Sequence, residues 1–151
     1  MILDDKLMKF VIFKKRTIHE VREKCKLLGF TEDYIDEIIA YLEENEYLDD
    51  ERYTMKYILN IIKLKKKSIQ EIRYDLIRRG INEQIIEKYI TEELYVFEMK
   101  CAIELAKKKY KECKDILKVK KYLAGKGYSR EVINKAIDTL KEISDNNIEM
   151  F

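Results

Sequence analysis

One pattern is written three times in this chain, and it limits the fold more than any other feature. KKRTIHEVREKCKLLGF, residues 14–30, returns as KKKSIQEIRYDLIRRGI, residues 65–81, at a constant offset of 51. A weaker third copy, DILKVKKYLAGKGYSREVINKAI, spans residues 115–137. The copies align on Gly29, Gly80 and Gly127. Eleven, eight and four residues before each glycine stand Ile18, Val21 and Cys25; Ile69, Ile72 and Leu76; and Ile116, Val119 and Leu123. Phe30, Ile81 and Tyr128 follow the glycines, Ile35, Ile86 and Ile133 stand six after, and Ile39, Ile90 and Ile137 ten after. Such spacings put one apolar stripe on each of two consecutive helices.

The ends of these helices carry matching chemistry. Thr17, Ser68 and Asp115 stand where an N-cap side chain accepts from orphan amides, and Glu20 and Glu71 are placed to complete capping boxes. Each glycine ends its helix in the left-handed conformation, and Thr31, Asn82 and Ser129 cap the next helix almost at once. A further helix precedes each corner, over residues 5–13, 50–64 and 92–110. The unit is therefore three helices used three times, over residues 5–46, 47–92 and 93–145 of one domain, 1–151. So small a unit cannot bury both faces alone, so neighbours must stack. The expected fold is all-α, three tandem three-helix repeats stacked into an elongated, curved array. Composition agrees, with no proline, four glycines and 40% charged residues in 151.

The repeat also decides which polar residues are ordinary. Cys25 holds the place of Leu76 and Leu123, so it belongs to the core. His19, the only histidine, matches Gln70 and lies about 100° from the apolar stripe, on a solvated face. The pairs Asp49–Asp50 and Glu92–Glu93 start helices, where the dipole favours anions. Cys25, Cys101 and Cys113 lack metal-ligand spacing, and their odd count fits a reducing cytosol. There is no phosphate-binding glycine loop and no nucleophile with a base. The chain is expected to have no catalytic residue, metal site or cofactor. No apolar run approaches the roughly 20 residues of a membrane span. The opening MILDDKLMKF puts acids where an export signal carries positive charge, so the expected location is cytoplasmic.

The cations recur as well. Seven residues before each glycine come Arg22, Arg73 and Lys120, about 40° round from the apolar stripe. Lys14, Lys15 and Arg16, then Lys65, Lys66 and Lys67, precede the same helix in the first two copies, and Arg78 and Arg79 sit near its end in the second. Net charge is −6 over residues 1–51, +3 over 52–98 and +5 over 99–151. These cations form either a solvated rim whose stems cover the core or a basic interaction ledge. Sequence-specific DNA reading by the corner is not expected. The helix after the glycine exposes Glu32, Asp33, Asp36 and Glu37 in the first copy, and Glu83, Gln84 and Glu87 in the second, and carboxylates repel phosphates. Only the third copy, with Arg130, Asn134 and Lys135, is compatible. A DNA-binding helical-repeat module and a scaffold for an unrelated protein stay open as alternatives.

The junction between the first two copies reads EYLDDERYTMKYI, Glu46 to Ile58. YLDDERY followed by the KKKSIQEIRYDLIRRGI unit resembles the RecX family of bacterial regulators of the RecA recombinase. The resemblance runs through nearly the whole chain, most strongly from Tyr47 to Ile90 and least after Glu98. It implies tandem three-helix repeats and binding to RecA filaments on single-stranded DNA; stacking in one dimension, which does not close on itself, is expected to leave the chain a monomer. Such a protein restrains strand exchange and ATP hydrolysis in DNA repair, recombination and the SOS response and catalyses nothing itself. Bare nucleic acid is expected to bind weakly, because the acidic excess of the first residues opposes it and no aromatic row offers a stacking platform. The family motif falls on Leu48, Asp49, Asp50 and Tyr53, with a mainly structural role expected. Asp49 or Asp50 caps the next helix, while Leu48 and Tyr53 pack across the junction. Where the family usually has glycine before this motif, the chain has Asn45-Glu46-Tyr47, and Asn45 is expected to supply the left-handed turn. In the third copy Lys118 replaces the capping-box glutamate, and the basic triplet is displaced to Lys107, Lys108 and Lys109.

Overall fold

Helix caps and glycine corners punctuate the chain at near-regular intervals. The computed structural model describes residues 1–64 and 67–146, and among these it contains nine helices and no strand. In chain order they are α1 (Asp5–Phe13), α2 (Ile18–Leu27), α3 (Glu32–Glu44), α4 (Asp50–Leu64), α5 (Ile69–Arg78), α6 (Glu83–Tyr89), α7 (Glu92–Cys113), α8 (Ile116–Gly125) and α9 (Arg130–Asn146). The first helix of each copy is α1, α4 or α7, and the corner pairs are α2–α3, α5–α6 and α8–α9. Lys65 and Lys66 lie outside the described residues.

The caps explain where helices begin. Thr17 Oγ1 accepts from the Glu20 amide while Glu20 Oε1 accepts from the Thr17 amide, a complete capping box. Ser68 Oγ accepts from the Glu71 amide at 3.1 Å. Asp115 Oδ1 accepts from Leu117 and Lys118, so a carboxylate alone does this work in the third copy. At the corners Gly29, Gly80 and Gly127 have φ of +84°, +83° and +90°. The following residue returns its amide to a helical carbonyl: Phe30 to Cys25, Ile81 to Leu76 and Tyr128 to Leu123.

The expected burial is met where the three copies agree. Val21, Ile72 and Val119 are fully buried, as are Cys25, Leu76 and Leu123. Two compact units result. One comprises Met1–Leu59 with Asp75–Tyr89, the other Asn60–Tyr74 with Ile90–Phe151, so α4 and α5 contribute to each. The first unit is built round Leu7, Val21, Cys25, Ile35, Ile38 and Leu42. In the second, α7, α8 and α9 enclose Ala102, Ala106, Val119, Leu123, Ala136, Ile137 and Leu140. At 25 cal/mol per Å2, each fully buried aliphatic side chain stabilises its unit by roughly 1.5–3 kcal/mol.

Three boundaries differ from expectation. Asn45 keeps a near-helical φ of −93°, and its side-chain amide donates to the Tyr41 carbonyl. The left-handed residue is the next one, Glu46, at φ +63°. Because the Asn45 side chain holds the last turn, the reversal falls one residue later. The third copy's first helix continues to Cys113, past residue 110, and stops where Lys114 turns left-handed at φ +54°. Helix α6 ends at Tyr89, leaving Ile90 half-buried beyond it, because Thr91 caps α7 immediately afterwards.

Candidate functional site

Each unit contains one joint between successive copies, made by the same three residues. In the first unit these are Thr17, Ile18 and His19. The Thr17 hydroxyl, fully buried, donates to the Arg79 carbonyl at 2.6 Å. The Ile18 amide, an orphan at the helix start, donates to Asp50 Oδ1 at 3.0 Å. His19 lies so close over Gly80 that a Cβ there would stand 2.1 Å from the His19 Cβ. Threonine caps its own helix and fastens the next copy with the same oxygen.

In the second unit the residues are Ser68, Ile69 and Gln70. The Ser68 hydroxyl donates to the Lys126 carbonyl at 2.8 Å, and the Ile69 amide donates to Glu98 Oε2 at 2.7 Å. A Cβ on Gly127 would meet Ser68 Oγ at 2.9 Å and Gln70 Cβ at 3.4 Å. Burial raises the carboxyl pKa of both Asp50 and Glu98. The Ile18 hydrogen bond opposes this at Asp50, while Glu43, Asp49 and Glu20 add to it. The Ile69 hydrogen bond and Arg73 oppose it at Glu98.

The YLDDERY residues are engaged in the first joint. Leu48 is buried in the first copy's core. Asp49 caps α4, accepting from the Arg52 amide at 3.0 Å. Asp50 holds Ile18, and Tyr53 accepts at its hydroxyl from the Arg79 guanidinium at 2.9 Å. Arg79 also lies 4.8 Å from the Tyr57 ring, and the Tyr57 hydroxyl donates to Asp75. The Asp50 and Glu98 contacts escape sequence reasoning because they join residues far apart in the chain. Their signal is an acid 30 residues before Gly80 and another 29 before Gly127.

The basic residues separate into engaged and open groups. Arg16 donates to the Phe10 carbonyl and stacks 3.7 Å from its ring centre. Arg22 pairs with Asp36 at 2.9 Å, and Arg78 approaches Asp75 at 3.8 Å with 63% of its side chain exposed. Arg73 is half-buried in the field of Glu98, and Lys67 is half-buried. Lys14 and Lys15 are exposed. Lys120 lines a groove between α8 and α9 with Lys121, Ala124, Tyr128, Arg130, Ile133 and Asn134. Among the described residues no acid, cysteine and histidine cluster is placed to hold a metal ion, and no helix is long and apolar enough to cross a membrane.

Residues 49–90 match the family model described as RecX, second three-helix domain. The chain is 33% identical over 127 residues to Regulatory protein RecX of Caldanaerobacter subterraneus subsp. tengcongensis, covering 83% of this chain and 64% of that protein. It is 35% identical over 146 residues to Regulatory protein RecX of Clostridium acetobutylicum, covering 87% of this chain and again 64% of the relative. The chain thus spans just under two thirds of the length of these curated relatives. The crystal structure of RecX from Lactobacillus salivarius superposes with a TM-score of 0.82 at 27% identity, over 92% of this chain and 94% of that one.

Proposed function

The chain belongs to the RecX family, and on that premise we propose that it is a non-enzymatic regulator that binds RecA filaments on single-stranded DNA. Bound there, it restrains strand exchange and ATP hydrolysis. The observation that carries the proposal is the likeness to proteins named as regulatory, which extends over most of the chain and includes the motif at the first joint. The joints support it physically. Within each unit, buried and half-buried hydrogen bonds fasten one copy to the next, so the cations of that unit are carried on packed helices.

In this reading Lys14, Lys15, Lys65, Lys66, Lys67, Arg22, Arg73, Arg78 and Lys120 form the contact ledge, while Arg16 and Arg79 position it. The protein acts in the cytoplasm as a monomer, with RecA as its partner and bare nucleic acid as a weak ligand. The test is ATP hydrolysis by the RecA of the same organism on single-stranded DNA, with and without this protein. A concentration-dependent fall in hydrolysis supports the proposal. Unchanged hydrolysis together with tight binding to bare DNA would replace it with a DNA-binding helical-repeat module.

A further inference from the structure

The same surface position is self-neutralised in the first copy and left open in the third. In the first copy, Arg22 on α2 pairs at 2.9 Å with Asp36 on α3, and Glu32 stands one turn earlier on α3. The second copy has acids at the corresponding places, Glu83 and Glu87. In the third, the cation persists as Lys120 but both acids are gone. Arg130 replaces the first and Asn134 the second, and Lys121 adds another cation where the first copy has Glu23. Among the described residues Lys120, Lys121 and Arg130 make no ion pair.

The groove between these cations has an apolar floor. Ile133 and Tyr128 are buried beneath it, and Ala124 stands at the wall where the first copy has Lys26 and the second Ile77. Ala124 itself is exposed, and beside it only narrow edges of Tyr128 and Ile133, 4% and 7% exposed, reach solvent. We propose that the α8–α9 groove of the third copy is a docking site for an acidic peptide segment with an apolar anchor. The anchor covers Ala124, Tyr128 and Ile133, and carboxylates of the segment take the place that Asp36 fills in the first copy. The floor favours a peptide over nucleic acid, because Tyr128, 4% exposed, offers no open ring face on which a base could stack. This goes beyond RecA regulation and does not depend on it, so failure of either is seen separately.

The experiment measures anisotropy of a fluorescein-labelled peptide, EDDLFEDE, with the full-length protein and no RecA present. A peptide with both apolar residues changed to serine, EDDSSEDE, and a dT oligonucleotide of the same length serve as competitors. Saturable binding of EDDLFEDE is expected, with EDDSSEDE, which lacks both apolar residues, weaker by at least about tenfold. The triple variant K120E/K121E/R130E should lose at least about tenfold. Asn134→Asp restores the acid found in the first copy, leaves every cation in place, and should weaken binding severalfold by occupying Lys120 from within. Circular dichroism shows that each variant is folded. Equal binding of both peptides, indifference to Asn134→Asp, or stronger displacement by the oligonucleotide would each overturn the proposal.

Discussion

Asp50 accepts a hydrogen bond from the main-chain amide of Ile18, 3.0 Å away and 32 residues earlier in sequence. The bond closes the exposed start of α2 with a residue from the next copy, and Glu98 does the same for Ile69. The Asp-Asp pair thus has two separate tasks, since Asp49 caps its own helix while Asp50 caps another.

Asp50→Ala strands the Ile18 amide and should cost about 1–3 kcal/mol in urea unfolding. Asp50→Asn keeps an acceptor, and its effect depends on pH. Burial raises the Asp50 pKa, so the folded state holds the proton more tightly than the unfolded chain. The stabilisation that results is fully present below the ordinary aspartate pKa and is lost as pH rises through the raised one. The stability of Asp50→Asn relative to the natural protein should therefore increase with pH across that window. A flat or opposite trend would show that Asp50 is not desolvated.

The glycines provide an internal control. Gly29 and Gly80 share the left-handed conformation, but a Cβ on Gly29 meets nothing within 4 Å while one on Gly80 collides with His19. Gly29→Ala should cost only the conformational strain, ~1–2 kcal/mol. Gly80→Ala must also open the joint, adding about 1–3 kcal/mol typical of overpacking. Equal losses in denaturant titrations would mean that the joint yields without resistance.

The core was readable because its signal repeats. Leu76 is fully buried, as the alignment of Cys25, Leu76 and Leu123 required, and Leu76→Ala should cost ~2–5 kcal/mol. A loss under about half a kcal/mol would place Leu76 at the surface. The joints were less legible. Thr17 reads as an N-cap from its neighbours, but its bond to the Arg79 carbonyl depends on which turn of the next copy reaches it. Of the recurring cations only their spacing was readable: it put Arg22 beside the stripe, while its pairing with Asp36 needed the helix crossing. Asn45 misled for a local reason, since its amide satisfies Tyr41 and leaves the turn to Glu46.

The surroundings of the ledge cations determine which substitutions test filament binding cleanly. Reversal of Arg79 would break its contact with Tyr53, and reversal of Arg73 would remove a cation that stabilises the Glu98 carboxylate. Loss of activity in either variant would not separate contact from folding. Lys14, Lys15 and Lys120 lack these ties, so Lys14→Glu/Lys15→Glu/Lys120→Glu should retain helicity and melting temperature. The triple variant should lose most of its restraint of RecA hydrolysis. Salt then distinguishes the partners. Neutralised phosphates on bare single strands give a log–log affinity slope of roughly −0.7 per contact. The acidic stretch over residues 1–51 opposes such binding, and its net charge of −6 can instead meet basic protein surface on a filament. Filament binding should therefore be tighter than bare-DNA binding at every salt concentration. Equal affinity throughout, with the triple variant unchanged in both assays, would remove these lysines from the interface.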